Sequence, residues 1–262
     1  MRFRIQADLT YDFQSPSETL LLLEAARTTG QSVLRETLEL TPAAAVTRRD
    51  DAQGGERRVV FTGEGRMRIR YEAEVEVQAH PAWPEGAPAP AIRDLPADVL
   101  RYLRPSRYCP SDRFEAFVER EFGHVAGGRR VRAILDWIAA HVDYRAGVSD
   151  AGSTALDTFV ERAGVCRDFA HLAIAFCRAG DIPARAVSAH AWKLDPPDLH
   201  AVIEVHLDGD WWLLDPTGLA PVEGLVRVAT GLDAADIAFM SIFGEAAMVD
   251  QRFAVQRIDG EP

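Results

Sequence analysis

The sequence predicts an α+β protein in which an antiparallel β domain comes first and a helix-and-sheet domain follows. In the first 80 residues apolar side chains alternate with polar ones, which is typical of strands with one buried face. Residues 81–96 then hold five prolines, a composition that resists both helix and sheet. Beyond them apolar residues recur at helical spacing. We therefore expect a β-rich domain at 1–95, a core at 96–230, and a C-terminal helix and strand at 231–262 that complete the fold.

Strand periodicity in the β domain is interrupted only by short polar stretches. The predicted strands lie at 3–9, 17–25, 31–40, 59–61 and 67–77. A turn is expected at 51–56, where Gly54 and Gly55 stand together among polar residues. This pattern indicates antiparallel strands joined by turns.

The second domain begins with predicted helices at 112–122 and over Val131–Ile138, where apolar residues follow the i, i+3, i+4, i+7 pattern. After a short helix near 154–162, Gly164 precedes Cys166, an apolar helical face follows, and Gly180 is placed to end the helix. Strands are expected at about 184–191, 200–207 and 210–215. Cys166 is therefore predicted to stand at a helix N-terminus.

A cysteine in this position is a candidate nucleophile. The unpaired N–H groups of a helix N-terminus favour the thiolate form, which is the reactive form. A free cysteine is more often a small buried residue, so position alone does not identify a nucleophile. The chain has three cysteines and no CxxC pair, which argues against a disulfide framework and a cysteine-rich zinc site. Cys177 lies on the apolar helix face and is expected in the core.

The segment from His200 to Asp215 supplies the partners that such a thiol needs. Asp208 and Gly209 predict a two-residue type I′ turn, which places Leu207 opposite Asp210. In that register His200 and Asp215 are diagonal neighbours on one face, within reach of an imidazole and a carboxylate. The other face is apolar and is expected to be buried, so His200 and Asp215 are expected to look outward from that core layer. A diagonal His/Asp pair also occurs as a plain surface ion pair, but a thiol, an imidazole and a carboxylate together suit nucleophilic acyl transfer.

Four blocks of this region resemble the bacterial transglutaminase-like proteins. They are Gly164–Leu172, Gly180–Val187, Leu199–Val205 and Trp212–Thr217. The close resemblance covers about residues 130–220. It implies a papain-like, transglutaminase-like core in which the nucleophile stands at the N-terminus of a helix packed on an antiparallel sheet. It also implies a Cys166, His200, Asp215 triad.

The oxyanion-binding groups are less clearly marked. Val202 stands where the family often has tryptophan. We expect the backbone N–H of Cys166 to contribute, with Tyr144 as a further candidate because it lies upstream near the expected loop. His171 is five residues after Cys166. It is expected to pack the helix against its neighbours or to contact the catalytic residues without touching substrate. No acidic cluster has calcium-loop spacing, a metal site of His200, Glu204 and His206 is disfavoured, and no cofactor is expected.

Composition limits the partners. The net charge of -11 and the absence of a basic stripe argue against nucleic acid. The N-terminus has no apolar secretory segment and no stretch is long enough to span a membrane, so we expect a soluble cytoplasmic protein without a membrane partner. The expected substrate is a peptide or protein amide. The sequence does not indicate an oligomeric state.

Three alternatives to amide hydrolysis stay open. The acyl group could pass to an amine, although Lys193 is the only lysine and self-cross-linking is unpromising. The chain could be an inactive binding or scaffolding module with the same fold. It could also be an arylamine N-acetyltransferase, but those usually carry Arg-Gly-Gly before the cysteine, where this chain has Arg162, Ala163 and Gly164.

Overall fold

The computed structural model of the chain describes residues 1–50, 55–79 and 82–259. The predicted α+β class is confirmed there, with two antiparallel sheets and helices packed on one of them. Most of the turn predicted at 51–56 lies outside the described residues, as does Pro81 of the proline-rich segment.

The first sheet is built on two strands much longer than the sequence predicts. Strand β1 (Arg2–Leu21) runs antiparallel to β4 (Arg57–Val77), and their alternate apolar residues are buried. The separate strand predicted at 17–25 is wrong, because its first part is the second half of β1. Exposed polar residues at 14–16 suggest a turn in sequence, but the strand passes through a bulge between Phe13 and Ser17 and resumes pairing.

The remaining strands of this sheet come from both ends of the chain. β2 (Gln31–Thr41) and β3 (Thr47–Asp50) pair with β4. On the other side of β1 lie two C-terminal strands, β11 (Met240–Phe243) and β12 (Ala246–Arg257). The segment expected to complete the fold therefore joins the N-terminal sheet.

Helices fill the middle of the chain. They are α1 (Glu115–Phe122), α2 (Gly127–His141), α3 (Ala155–Glu161), α4 (Cys166–Ala179) and α5 (Ala234–Ile237). Short 3-10 turns lie at Ile92–Asp94, Leu100–Leu103, Ser111–Arg113 and Val222–Gly224. No described helix combines the length and apolar character needed to cross a lipid bilayer. The cytoplasmic location stays a prediction.

The second sheet supports helix α4, most of whose residues are buried. Its strands are β7 (Ala184–Ala191), β8 (Leu199–Leu207), β9 (Asp210–Leu214) and β10 (Leu225–Gly231), in the order β10-β7-β8-β9. Helix α4 packs on β7 and β8, and Leu172 and Phe176 share a core with Ile203 and Val205. This packing fixes the start of α4 relative to the start of β8.

Polar contacts tie the first sheet to the second. Gln31 donates to the carbonyl of Arg227 at 2.9 Å and accepts from the Arg227 N–H at 2.9 Å. The His190 ring donates from Nε2 to the carbonyl of Leu23 at 2.9 Å. Because these groups are buried, breaking any of these bonds would leave a polar group without a partner. The β domain is thus anchored on the sheet that carries His200.

Candidate active site

Cys166 is the first residue of α4, as the sequence predicts, and a carboxylate caps the turn that holds it. Asp168 accepts a hydrogen bond from the Val165 N–H at 2.8 Å and a short one from the Ser149 hydroxyl. A Cβ at position 164 would lie 2.6 Å from the Asp168 Cβ, so only glycine fits before the cysteine. Asp168 and Gly164 therefore shape the helix start on which the thiol stands.

The three cysteines differ sharply in exposure. Cys109 and Cys177 are completely buried, and burial raises the pKa of each thiol to about 12. Cys166 is half-buried. Cys177 packs in the core as predicted, which leaves Cys166 as the thiol open to a substrate.

The predicted hairpin register is confirmed. Leu207 lies opposite Asp210 and Ile203 opposite Leu214, and Asp208 and Gly209 both have positive φ as a type I′ turn requires. The Nε2 atom of His200 lies 2.9 Å from Oδ2 of Asp215. The register therefore brings together the imidazole and carboxylate proposed from sequence.

As predicted, this pair points away from the core layer that holds Ile203, Val205 and Leu214, but it is buried on its own face. The side chains of His200 and Asp215 are only 1% and 2% exposed. Their face of the sheet carries a second apolar cluster, which includes Val202, Leu213 and Ala220. Alternation along β8 identified the two faces but could not show that other elements cover both.

Asp215 is held by four hydrogen bonds. Besides the His200 ring, its oxygens accept from the Thr217 N–H at 2.9 Å, the Thr217 hydroxyl at 2.7 Å and the Ala220 N–H at 3.0 Å. Burial alone would raise the pKa of this carboxyl, but the His200 interaction and these donors lower it below its ordinary value. Asp215 is therefore a fixed, ionised acceptor, and the sequence analysis missed the supporting role of Thr217.

His200 is poised between a carboxylate and a thiol. Burial disfavours the imidazolium, but hydrogen bonding and charge interactions with Asp215 and Cys166 prevail and raise the pKa of His200 to about 9. Nε2 is taken by Asp215, and the buried Nδ1 has no hydrogen-bond partner within the described residues. An imidazole in this position can hold a proton close to the Cys166 side chain.

Tyr144 also reaches Cys166. Strand β5 (Asp143–Tyr144) pairs in parallel with β6 (Ala163–Gly164), which places Tyr144 opposite Gly164. Partial burial, and then the neighbouring Cys166, raise the pKa of the tyrosine hydroxyl. The side chain is 48% exposed. Tyr144 thus lies at the mouth of the site, while its role in oxyanion binding stays a prediction.

His171 is used elsewhere. Its ring stacks on Tyr108, with centroids 5.2 Å apart and planes 3° apart, and its Nε2 accepts from the Ala234 N–H at 3.1 Å. Burial lowers the pKa of His171 to about 4, so the ring is neutral. These contacts join α4 to the start of α5 and suit a packing residue.

The residues considered for a metal site have other partners. Glu204 lies between two arginines, 2.7 Å from Arg185 and 2.6 Å from Arg227. The His206 ring packs edge-on against Trp211. Within residues 1–50, 55–79 and 82–259, no group of three His, Cys, Asp or Glu side chains is arranged to hold a metal ion.

Comparisons with known proteins agree with this fold. Residues 101–216 match the transglutaminase-like superfamily, and residues 1–80 match the bacterial transglutaminase N-terminal domain. The crystal structure of a "putative cysteine protease" from Cytophaga hutchinsonii is 39% identical with a TM-score of 0.96. That match covers 100% of this chain and 92% of the other.

Two further matches are weaker. An uncharacterized protein of Mycobacterium leprae is 32% identical over 146 residues, which are 52% of this chain and 52% of that protein. The chain therefore spans about half the length of this curated relative. The periplasmic domain of TgpA from Pseudomonas aeruginosa is 15% identical with a TM-score of 0.42, over 83% of this chain and 90% of that one.

The fold, in which a helix that begins at Cys166 packs on an antiparallel sheet, is of the transglutaminase-like class. The chain belongs to the transglutaminase-like superfamily.

Proposed function

We propose that this protein hydrolyses amide bonds of peptides or proteins through a thioester on Cys166. The observation that carries the proposal is the position of His200, which is hydrogen-bonded to Asp215 at 2.9 Å and whose pKa, despite its burial, is raised by interactions with Asp215 and Cys166. A thiol, an imidazole and a fixed carboxylate in this order are the parts that covalent acyl transfer requires.

The proposed reaction begins with the thiolate of Cys166 and the imidazolium of His200. The sulfur attacks the amide carbon, and the oxyanion that forms is stabilised by the Cys166 N–H and the Tyr144 hydroxyl. His200 then gives its proton to the departing amine as the carbon–nitrogen bond breaks, which leaves a thioester. Asp215 keeps the ring oriented and stabilises its charged form.

Water completes the cycle. Neutral His200 takes a proton from a water molecule, the hydroxide attacks the thioester carbon, and the carboxylic acid leaves as Cys166 returns to the thiolate. We propose water as the acceptor because it needs no dedicated binding pocket. Transfer to a primary amine uses the same thioester and is the competing outcome.

Tyr144 has a specific place in this scheme. The pKa of its hydroxyl responds to Cys166, whose N–H is the donor that a substrate carbonyl oxygen would use. The substrate oxygen would accept from both groups. This view makes Tyr144 a donor that substrate binding brings into use.

Intact-mass spectrometry with a panel of glutamine peptides tests the proposal. The expected product is an adduct on Cys166 equal in mass to the peptide minus ammonia, followed by release of the acid. Adding a primary amine reveals any transamidation. The variant Cys166→Ser should lose both adduct and turnover, whereas Cys177→Ala, which alters only a buried thiol, should keep them.

Two results would reject the mechanism. Turnover retained by Cys166→Ser would exclude the thiol as nucleophile. Absence of any adduct, with Cys166 alkylated by iodoacetamide no faster than a cysteine peptide, would favour the binding-module alternative.

A further inference from the structure

A second carboxylate lies close to the proposed nucleophile. Asp198 stands directly before β8 and two residues before His200. Its charge acts on His200 and adds to the raised pKa of the Tyr144 hydroxyl. Asp198 therefore lies beside the proposed site.

The N-terminal sheet holds this carboxylate in place. Asp198 accepts from the Leu199 N–H at 2.7 Å through Oδ1, and from the Gln251 side chain at 3.4 Å through Oδ2. Gln251 belongs to β12, next to the register shift that bends this strand opposite Thr10 and Tyr11. Bulges of this kind often orient a side chain beside an active site.

Asp198 is exposed and has no ion-pair partner within the described residues. Two basic side chains, one five residues before Asp198 in sequence and one directly after Cys166, are engaged with other groups. Lys193 lies 4.3 Å from the Trp192 ring centroid, and Arg167 binds the Asp168 carboxylate at 3.0 Å and the Asp150 carbonyl at 2.6 Å. A carboxylate left free at the mouth of a thiol site offers a place for a positive charge from outside the chain.

We propose that Asp198, positioned by Gln251, selects substrates that carry a cationic side chain next to the scissile amide. The inference rests on the proposed function, because it assigns a substrate class to the same site. An ammonium or guanidinium would pair with the Asp198 carboxylate while the amide carbon reaches Cys166. A neighbouring acidic side chain would be repelled.

Competing glutamine peptides test this specificity. Peptides with lysine, citrulline or glutamate next to the glutamine differ mainly in charge. We expect kcat/KM to be about three- to tenfold higher for the lysine peptide than for citrulline, as for a partly exposed ion pair, and the ratio to fall with added salt. Asp198→Asn should bring the ratio close to one and Asp198→Arg should invert it. The control Asp195→Asn, in the same loop, should keep it.

A second measurement is independent of amide turnover. The cationic reagent trimethylammonioethyl methanethiosulfonate and the anionic sulfonatoethyl methanethiosulfonate both modify thiols, and the other two cysteines are buried. After correction by a cysteine peptide, Cys166 should prefer the cationic reagent, and Asp198→Asn should reduce this preference about threefold or more. If no peptide reacts but this preference is present, the proposed hydrolysis fails and the electrostatic role of Asp198 stands.

The inference is overturned if Asp198→Asn leaves both ratios unchanged. It is also overturned if the variant changes only the share of thioester captured by an added primary amine. That result would mean that Asp198 attracts the positive charge of the amine acceptor and not that of a substrate side chain.

Discussion

Replacing Asp215 by asparagine removes one oxygen and one charge from a buried carboxylate that accepts four hydrogen bonds. One of its oxygens accepts from His200 and the Ala220 N–H, and the other accepts from the N–H and hydroxyl of Thr217. An amide supplies one acceptor oxygen and one NH₂ donor. In either orientation the NH₂ faces one backbone N–H, which loses its acceptor, and one group that can turn into an acceptor, the His200 ring or the Thr217 hydroxyl.

The loss has a predictable size. A buried donor left without an acceptor costs about 1–3 kcal/mol, so Asp215→Asn should lower the free energy of unfolding by about that amount. The side chain is 2% exposed, so solvent screens the effect very little. The N–H groups of Thr217 and Ala220 lie in a turn and can relax toward water, so we expect the loss of stability to fall in the lower half of this range.

The effect on chemistry should be larger. If the NH₂ faces His200, Nε2 must become an acceptor, the proton moves to Nδ1, and the ring can no longer take the proton of the Cys166 thiol. By analogy with serine-histidine-aspartate triads, the wrong tautomer costs about 10⁴ in kcat. Asp215 also helps to raise the pKa of His200 to about 9 against the effect of burial. Imidazolium is lost as pH rises through that value, so the alkaline limit of activity should move to lower pH in the variant.

Urea unfolding and the pH dependence of Cys166 alkylation and peptide turnover measure these effects. The same substitution in Asp210→Asn, at the exposed start of β9, is the control and should change stability by less than about 0.5 kcal/mol. Wild-type turnover in Asp215→Asn with an unchanged alkaline limit would show that Asp215 does not orient His200.

Two other substitutions probe the site and the buried histidines. Tyr144→Phe should lower kcat about 10- to 100-fold with little change in stability, because the side chain is 48% exposed and only the hydroxyl is lost; an increase in kcat/KM would mean that the tyrosine blocks the site instead. His171 and His190 are buried with pKa values lowered to about 4, so the unfolded chain binds their protons first. Stability should therefore fall as pH decreases from 6.5 to 4, by about 3 kcal/mol for each ring. Urea unfolding at several pH values should show a flatter acid slope for His190→Gln, and an unchanged slope would contradict this assignment.

The local parts of the site were predictable because short-range rules determine them. A two-residue turn with positive φ at Asp208 and Gly209 fixes the pairing of β8 with β9. Glycine before Cys166 and a carboxylate three residues into the helix mark the start of α4. Such features depend on a few neighbouring residues, so the sequence alone specifies them.

The parts that were missed depend on distant segments. Alternation along β8 cannot reveal that β domain residues such as Gln251 reach the loop before His200. The position of Tyr144 depends on a two-residue parallel pair with Gly164, which is too short to leave a pattern in sequence. The strand predicted at 3–9 and the first part of the strand predicted at 17–25 belong to one strand, β1, which continues through a bulge, and a bulge and a turn favour similar residue types.

The burial of His200 gives the β domain a direct part in the proposed chemistry. A surface imidazole beside a carboxylate gains little from the interaction, since water screens the charges. Here the side chains of His200 and Asp215 are nearly inaccessible to solvent. Leu199, the residue before His200 in β8, packs against the apolar cores of both sheets. Stabilising an imidazolium in such a place requires Asp215 to remain ionised and fixed. Hydrogen bonds from the second sheet to Leu23, from Gln31 to Arg227 and from Gln251 to Asp198 hold the first sheet against this region. The first sheet therefore helps to create the low-dielectric environment in which this triad would work.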